Sequence, residues 1–105
     1  MAELSSDFLR DIPKTDLHVH LDGSLRLETL IELARERDVR LPSETPEGLL
    51  ELVFKTQYRD LPDYLHGFAY TCSVLTDEEA LERVAFELAE DCLAEGVRYV
   101  EVRFA

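Results

Sequence analysis

What most constrains this chain is a pair of strand-like segments, one near each end, separated by a long stretch of helical pattern. Near the start, Leu17, Val19 and Leu21 alternate with Asp16, His18 and His20, the period of two that an extended strand produces. At the far end, Val97-Arg98-Tyr99-Val100-Glu101-Val102-Arg103-Phe104 is rich in β-branched and aromatic residues and predicts a second strand. Antiparallel neighbours need only a short turn, so two strands joined through helices imply a parallel pair with a right-handed crossover. The class is α/β.

The residues up to Asp11 read as a polar lead-in. Asp22-Gly23-Ser24 breaks the first strand, and Leu27, Leu30, Ile31 and Ala34 form one face of a helix that runs to about Asp38. Thr45 is an N-cap with Pro46 at the first helical position, opening a short helix to about Phe54; Lys55 to Asp60 reads as loop. Pro62 to Leu75 places Tyr64, Leu65, Phe68, Cys72 and Leu75 on one helical stripe, with His66 off it and expected at the surface. Thr76-Asp77-Glu78-Glu79 matches a capping box, and the helix it opens carries Leu81, Val84, Ala85, Leu88 and Cys92 on its apolar face and stops at Gly96. That helix spans about 28 Å at ~1.5 Å per residue, long enough to return the chain alongside a strand. It is the expected crossover. The earlier helices are then inserted after the carboxyl end of the first strand, where α/β proteins build ligand sites, and should form a lid.

With 105 residues and 46% hydrophobic content, the chain can bury one modest core, so one domain or part of one is expected. Twenty-three Asp and Glu against eleven Lys and Arg give a formal charge of -12, a poor match to nucleic-acid polymers or anionic membrane surfaces. The acidic bias of the helices reads as a solvated outer face. Residues 1–7 show no basic, apolar leader pattern, and no apolar run is long enough for a membrane span, which predicts a cytoplasmic protein. Cys72 and Cys92 lack a C-x-x-C or framework spacing and read as small, reduced, apolar residues.

His18 and His20 stand two apart on a strand, so their imidazoles leave one face roughly 7 Å apart at the backbone and can converge on one ion. Nitrogen ligands suit zinc, and the pair alone also allows iron, nickel or manganese. An isolated H-x-H is more often two histidines on an exposed strand face. The opposite face, with Leu17, Val19 and Leu21, is apolar and expected to turn towards helices, while Lys14, Asp16, His18 and His20 share the polar face. Such a sheet is either open to water on one side or part of a closed barrel with a polar, metal-bearing lumen. Asp22 before Gly23 also suits an ordinary turn, and Tyr64, Leu65 and Phe68 also suit an ordinary core. Glu101 and Arg103 on one strand face fit a structural ion pair better than a catalytic role.

Over Pro13-Lys14-Thr15-Asp16-Leu17-His18-Val19-His20-Leu21-Asp22-Gly23-Ser24 the chain resembles the adenosine deaminase family of metal-dependent amidohydrolases. The resemblance continues through Leu61-Pro62-Asp63-Tyr64-Leu65-His66-Gly67-Phe68 and ends at Glu95-Gly96-Val97-Arg98-Tyr99-Val100-Glu101-Val102-Arg103-Phe104. It implies a (β/α)8 barrel of which residues 1–105 supply the amino-terminal part: two parallel strands with inserted lid helices. It also implies one Zn2+ held in part by His18 and His20, and hydrolytic loss of ammonia from the 6-position of a purine nucleoside. Asp22, beside Gly23, would bind ribose hydroxyls, and Leu61, Tyr64, Leu65 and Phe68 would line the apolar mouth over the base. The family's remaining ligands and proton-transfer residues would lie beyond residue 105, so the chain alone is expected to be inactive without the rest of the barrel. Aspartate at position 22 resembles the nucleoside-acting branch; adenine or aminofutalosine deaminases, phosphoesterases that open with a similar H-x-H strand, and a non-enzymatic α/β module are the alternatives.

Overall fold

The computed structural model describes residues 3–104. Its elements in chain order are α1 (Ser6–Asp11), β1 (Lys14–His20), a 3-10 turn (Leu21–Gly23), α2 (Leu27–Glu36), α3 (Pro46–Leu52), α4 (Leu61–Val74), α5 (Glu78–Ala94) and β2 (Val97–Arg103). β1 and β2 pair in parallel, with Lys14 opposite Val97 and His20 opposite Arg103. The register shifts between Lys14 and Thr15 and again between Asp16 and Val19.

α1 replaces the expected lead-in. Ser5 caps it by accepting from the Phe8 N–H at 3.0 Å, and the Lys14 ammonium donates to the carbonyls of Leu9, Arg10 and Ile12 at its other end. This helix rests on caps alone and buries no residue, so it leaves no apolar period to read. α3 starts as expected on the Thr45 cap, whose hydroxyl accepts from Gly48 N–H at 3.1 Å, with Pro46 in the first turn. The cap of α5 is Asp77 rather than Thr76: its carboxylate accepts from the Ala80 N–H at 2.9 Å. It also holds the Arg37 guanidinium at 2.8 and 2.9 Å, a second task that a hydroxyl could not perform as well.

The core gathers Leu30, Leu33, Leu49, Val53, Val74 and Val84 where α2, α3, α4 and the first half of α5 meet, next to the carboxyl end of β1. Two expected faces are rotated. On α5 the buried residues are Ala80 and Val84, while Leu81 and Ala85 are exposed. α5 docks on α2 partly through polar contacts: ion pairs of Arg26 with Asp91 at 2.9 Å and Arg83 with Glu32 at 2.7 Å, and a hydrogen bond donated by the Thr29 hydroxyl to the Glu87 carboxylate. Those polar contacts claim the strip next to Val84. On α4 the buried residues are Gly67, Thr71 and Val74, which leaves the Tyr64–Leu65–Cys72 stripe open. Gly67 permits this seat, because a methyl there would lie 2.9 Å from the Phe54 ring.

The sheet departs from expectation as well. Leu17 is 61% exposed, so no helix among the described residues covers it, and Val19 is only half-buried. Asp16 turns its carboxylate onto the His18 backbone N–H at 3.3 Å, within the stretch where the register shift breaks the alternation. Glu101 and Arg103 are exposed, and neither forms an ion pair among the described residues. Among the described residues no helix is long and apolar enough to cross a membrane.

Candidate metal centre and adjoining apolar cavity

β1 ends by delivering two imidazoles to one point. The Nε2 atoms of His18 and His20 are 3.0 Å apart, with ring centroids at 4.9 Å and planes inclined at 59°. Two nitrogens bound at ~2.0 to 2.1 Å to one tetrahedral ion stand about 3.3 Å apart, so a small opening of the pair admits a zinc ion between them. The donor set fits the metal that the H-x-H spacing suggests. Among the described residues no group of three or more His, Cys, Asp or Glu converges on one point, so the pair by itself would supply two ligands.

The chain then turns through Leu21–Gly23, where the Ser24 hydroxyl donates to the His20 carbonyl at 2.6 Å. The turn tucks Asp22 beneath α4 and leaves it 5% exposed. Its Oδ2 accepts from the Cys72 thiol at 3.7 Å, while its buried Oδ1 has no hydrogen-bond partner and lies 3.6 Å from His20 Nδ1. Desolvation, then the Asp22 charge, raises the pKa of the Cys72 thiol. Cys72 is exposed as a residue, in place of the buried position expected from its stripe, yet its sulfur meets this buried carboxylate.

Beyond the turn lies a cavity of about 280 Å³, walled mainly by apolar side chains from α2, α3 and α4. Of the four residues expected at an apolar mouth, Tyr64 and Phe68 line it together with Gly23; Leu61 and Leu65 do not, and stand 65% and 48% exposed. Gly23 lets α4 come close: a Cβ there would meet the Phe68 ring at 3.3 Å and the His20 Cβ at 3.8 Å. Tyr64 packs edge-on against Phe68 and against Tyr58, with centroids at 6.0 and 5.1 Å. Tyr58, Phe54 and Leu50 also belong to the wall and escaped the sequence reading. Tyr58 sits in an aperiodic loop, where the one available signal was a large aromatic among polar residues. His66 is exposed, as expected, with its Nε2 3.3 Å from the Tyr70 hydroxyl.

Comparison with known proteins identifies the family. Residues 13–105 match the profile of the family described as adenosine deaminase. The chain is 44% identical to a probable adenosine deaminase of Dictyostelium discoideum over 98% of its own length and 14% of the relative's. It is 49% identical to the adenosine deaminase of Clostridium perfringens strain SM101, over 92% of the chain and 30% of the relative. Among solved structures, an adenine deaminase from Arthrobacter aurescens superposes with a TM-score of 0.74 at 30% identity, over 86% of this chain and 27% of that one. A complex of ADAL with IMP superposes with a TM-score of 0.72 at 31% identity, over 95% and 29%. The chain thus spans less than a third of the length of these relatives. Its two parallel strands and intervening helices are an α/β portion of the barrel that these deaminases share. A strand that ends on paired histidines, a turn that buries an aspartate and a matching profile over nearly the whole chain lead to one conclusion: this chain belongs to the adenosine deaminase family.

Proposed function

We propose that the full-length protein carrying this segment is a zinc-dependent deaminase that hydrolyses adenosine or deoxyadenosine to inosine or deoxyinosine and ammonia. The observation that carries the reading is the convergence of the His18 and His20 Nε2 atoms at the carboxyl end of β1, beside an apolar cavity and a buried carboxylate. His18 and His20 would supply two of the about three protein ligands that a catalytic zinc requires, with the remainder from outside this chain. When bound, zinc supplies Lewis-acid chemistry for hydrolysis at the purine 6-position.

This chain's own residues then bind and orient. The planar base lies against Tyr64 and Phe68, whose faces exclude water from the reacting carbon, and the exposed Leu61 and Leu65 close over it at the mouth. Asp22, directly after the metal strand, receives a sugar hydroxyl on its carboxylate. A short carboxylate at this position leaves room for the ribose. Gly23 keeps the turn thin enough for the ligand to lie between His20 and Phe68.

The test is the ultraviolet change as adenosine becomes inosine, measured on the full-length protein with adenosine, adenine and AMP side by side. Zinc stoichiometry is measured on the same preparation. Turnover of adenosine that disappears in the His18→Ala, His20→Ala double variant is the expected result. A preparation that holds zinc but prefers adenine or AMP by a large margin overturns the nucleoside assignment, and one that takes up no stoichiometric zinc overturns the metal.

A further inference from the structure

Asp22 sits at the centre of a chain of contacts that its ligand role does not explain. Its Oδ2 accepts from the Cys72 thiol at 3.7 Å and its Oδ1 faces His20 Nδ1 at 3.6 Å, while His20 Nε2 points at His18 Nε2, 3.0 Å away. We propose that Cys72, Asp22 and His20 form a positioning chain, in which the thiol holds the carboxylate and the carboxylate holds the imidazole in the tautomer that binds metal. This rests on the metal reading above. Cys72 and Asp22 act through His20, so both are positioning residues.

The argument starts from the unsatisfied oxygen. Oδ1 is buried without a partner, an arrangement that native structures rarely leave uncorrected. The donor within reach is His20 Nδ1–H, and closing 3.6 Å to a hydrogen bond of about 2.9 Å takes a small tilt of the ring. The metal makes the same demand from the other end. His20 presents Nε2 towards His18, so to bind an ion it must carry its lone pair there and its proton on Nδ1. One tautomer satisfies both the buried oxygen and the ion. Carboxylates placed in this way fix the orientation and tautomer of the ring.

Cys72 accounts for the other oxygen. No lysine or arginine among the described residues pairs with Asp22; its side-chain neighbours are the thiol and His20. A carboxylate that is 5% exposed and pairs with no lysine or arginine needs a neutral donor to offset its desolvation. The thiol is that donor. It sits on α4, whose buried neighbours Thr71 and Val74 anchor that stretch of the helix, and its raised pKa keeps the proton on sulfur at neutral pH. α4 therefore reaches the turn after β1 through one S–H.

The experiment uses the full-length protein and two readouts, zinc affinity by competition with a chromogenic chelator and the His20 tautomer in the metal-free protein from its ring 15N shifts. Asp22→Asn should weaken zinc binding by roughly tenfold or more and shift His20 away from the Nδ1–H form. Cys72→Ala, which removes the donor and little volume, should weaken zinc about fivefold, in keeping with a weak donor on a charged acceptor. Cys72→Ser, which keeps a donor, should recover most of that loss. Zinc affinity in Cys72→Ala equal to wild type, or in Cys72→Ser no better than in Cys72→Ala, overturns the role of the thiol. An unchanged tautomer and affinity in Asp22→Asn overturns the whole chain of contacts while the metal reading stands. Wild-type protein without stoichiometric zinc removes the metal reading and this inference with it.

Discussion

Replacing Gly96 with alanine in the full-length protein should cost about 3 kcal/mol of stability, assembled from two separate penalties. Gly96 follows α5 with φ at +78°, a left-handed conformation, and its N–H donates to the Leu93 carbonyl at 3.2 Å to close the helix. A Cβ in that conformation costs about 1 to 2 kcal/mol. It would also stand 2.2 Å from the Arg10 carbonyl oxygen and 2.9 Å from that of Ile12. Those atoms are main chain, so no rotamer change removes the overlap. Either α1 or the start of β2 must move, at a further cost of about 1 to 3 kcal/mol for overpacking. The same residue sets the sheet, because its carbonyl accepts from Lys14 N–H at 2.9 Å where β1 and β2 begin to pair. Gly96→Asn separates the two penalties: asparagine tolerates the left-handed region but carries the same Cβ, so it should lose about 1 kcal/mol less than alanine. The assay is urea unfolding followed by fluorescence and circular dichroism, with slopes compared so that only midpoint shifts are read as stability. An alanine variant within about 0.5 kcal/mol of wild type, or one no worse than asparagine, would refute the reasoning.

Three other outcomes follow from the same geometry. At saturating zinc, Asp22→Ala should reduce kcat/KM for adenosine by roughly 10- to 150-fold more than for adenine, the loss of a hydrogen bond of about 1.5 to 3 kcal/mol to a charged group; equal losses remove the sugar role. The Arg37 guanidinium, then the Ala80 N–H, hold the Asp77 carboxyl below its ordinary value of 3.8. A lowered folded pKa stabilises above the unfolded value and is lost as pH falls through the folded one, so Asp77→Asn should flatten the acid limb of stability below about pH 4, and an unchanged limb contradicts the pairing. The 105-residue chain purified alone with zinc should deaminate adenosine no faster than its His18→Ala, His20→Ala control, because two imidazoles fall short of the about three protein ligands needed; robust turnover lost in the control shows the catalytic groups were misplaced.

From β1 onward, local signals carried the order of strands and helices by themselves. Thr45 with Pro46, the alternation from Asp16 to Leu21 and the β-branched run from Val97 identify helix starts and strands because caps and side-chain periods act within a few residues of their own backbone. The spacing of His18 and His20 likewise put two imidazoles on one face before any packing was known. Which apolar face is covered was decided elsewhere. Periodicity tells where Tyr64, Leu65 and Cys72 lie around α4 but not what meets them, and docking through Gly67 and Thr71 left that stripe open to a cavity and to Asp22. On α5, ion pairs with Arg26 and Glu32, both distant in sequence, helped turn Ala80 inward beside Val84 in place of Leu81 and Ala85. The burial of Asp22 and its contact with a thiol fifty residues away join groups that share no local pattern, and only the tertiary fold brings them together.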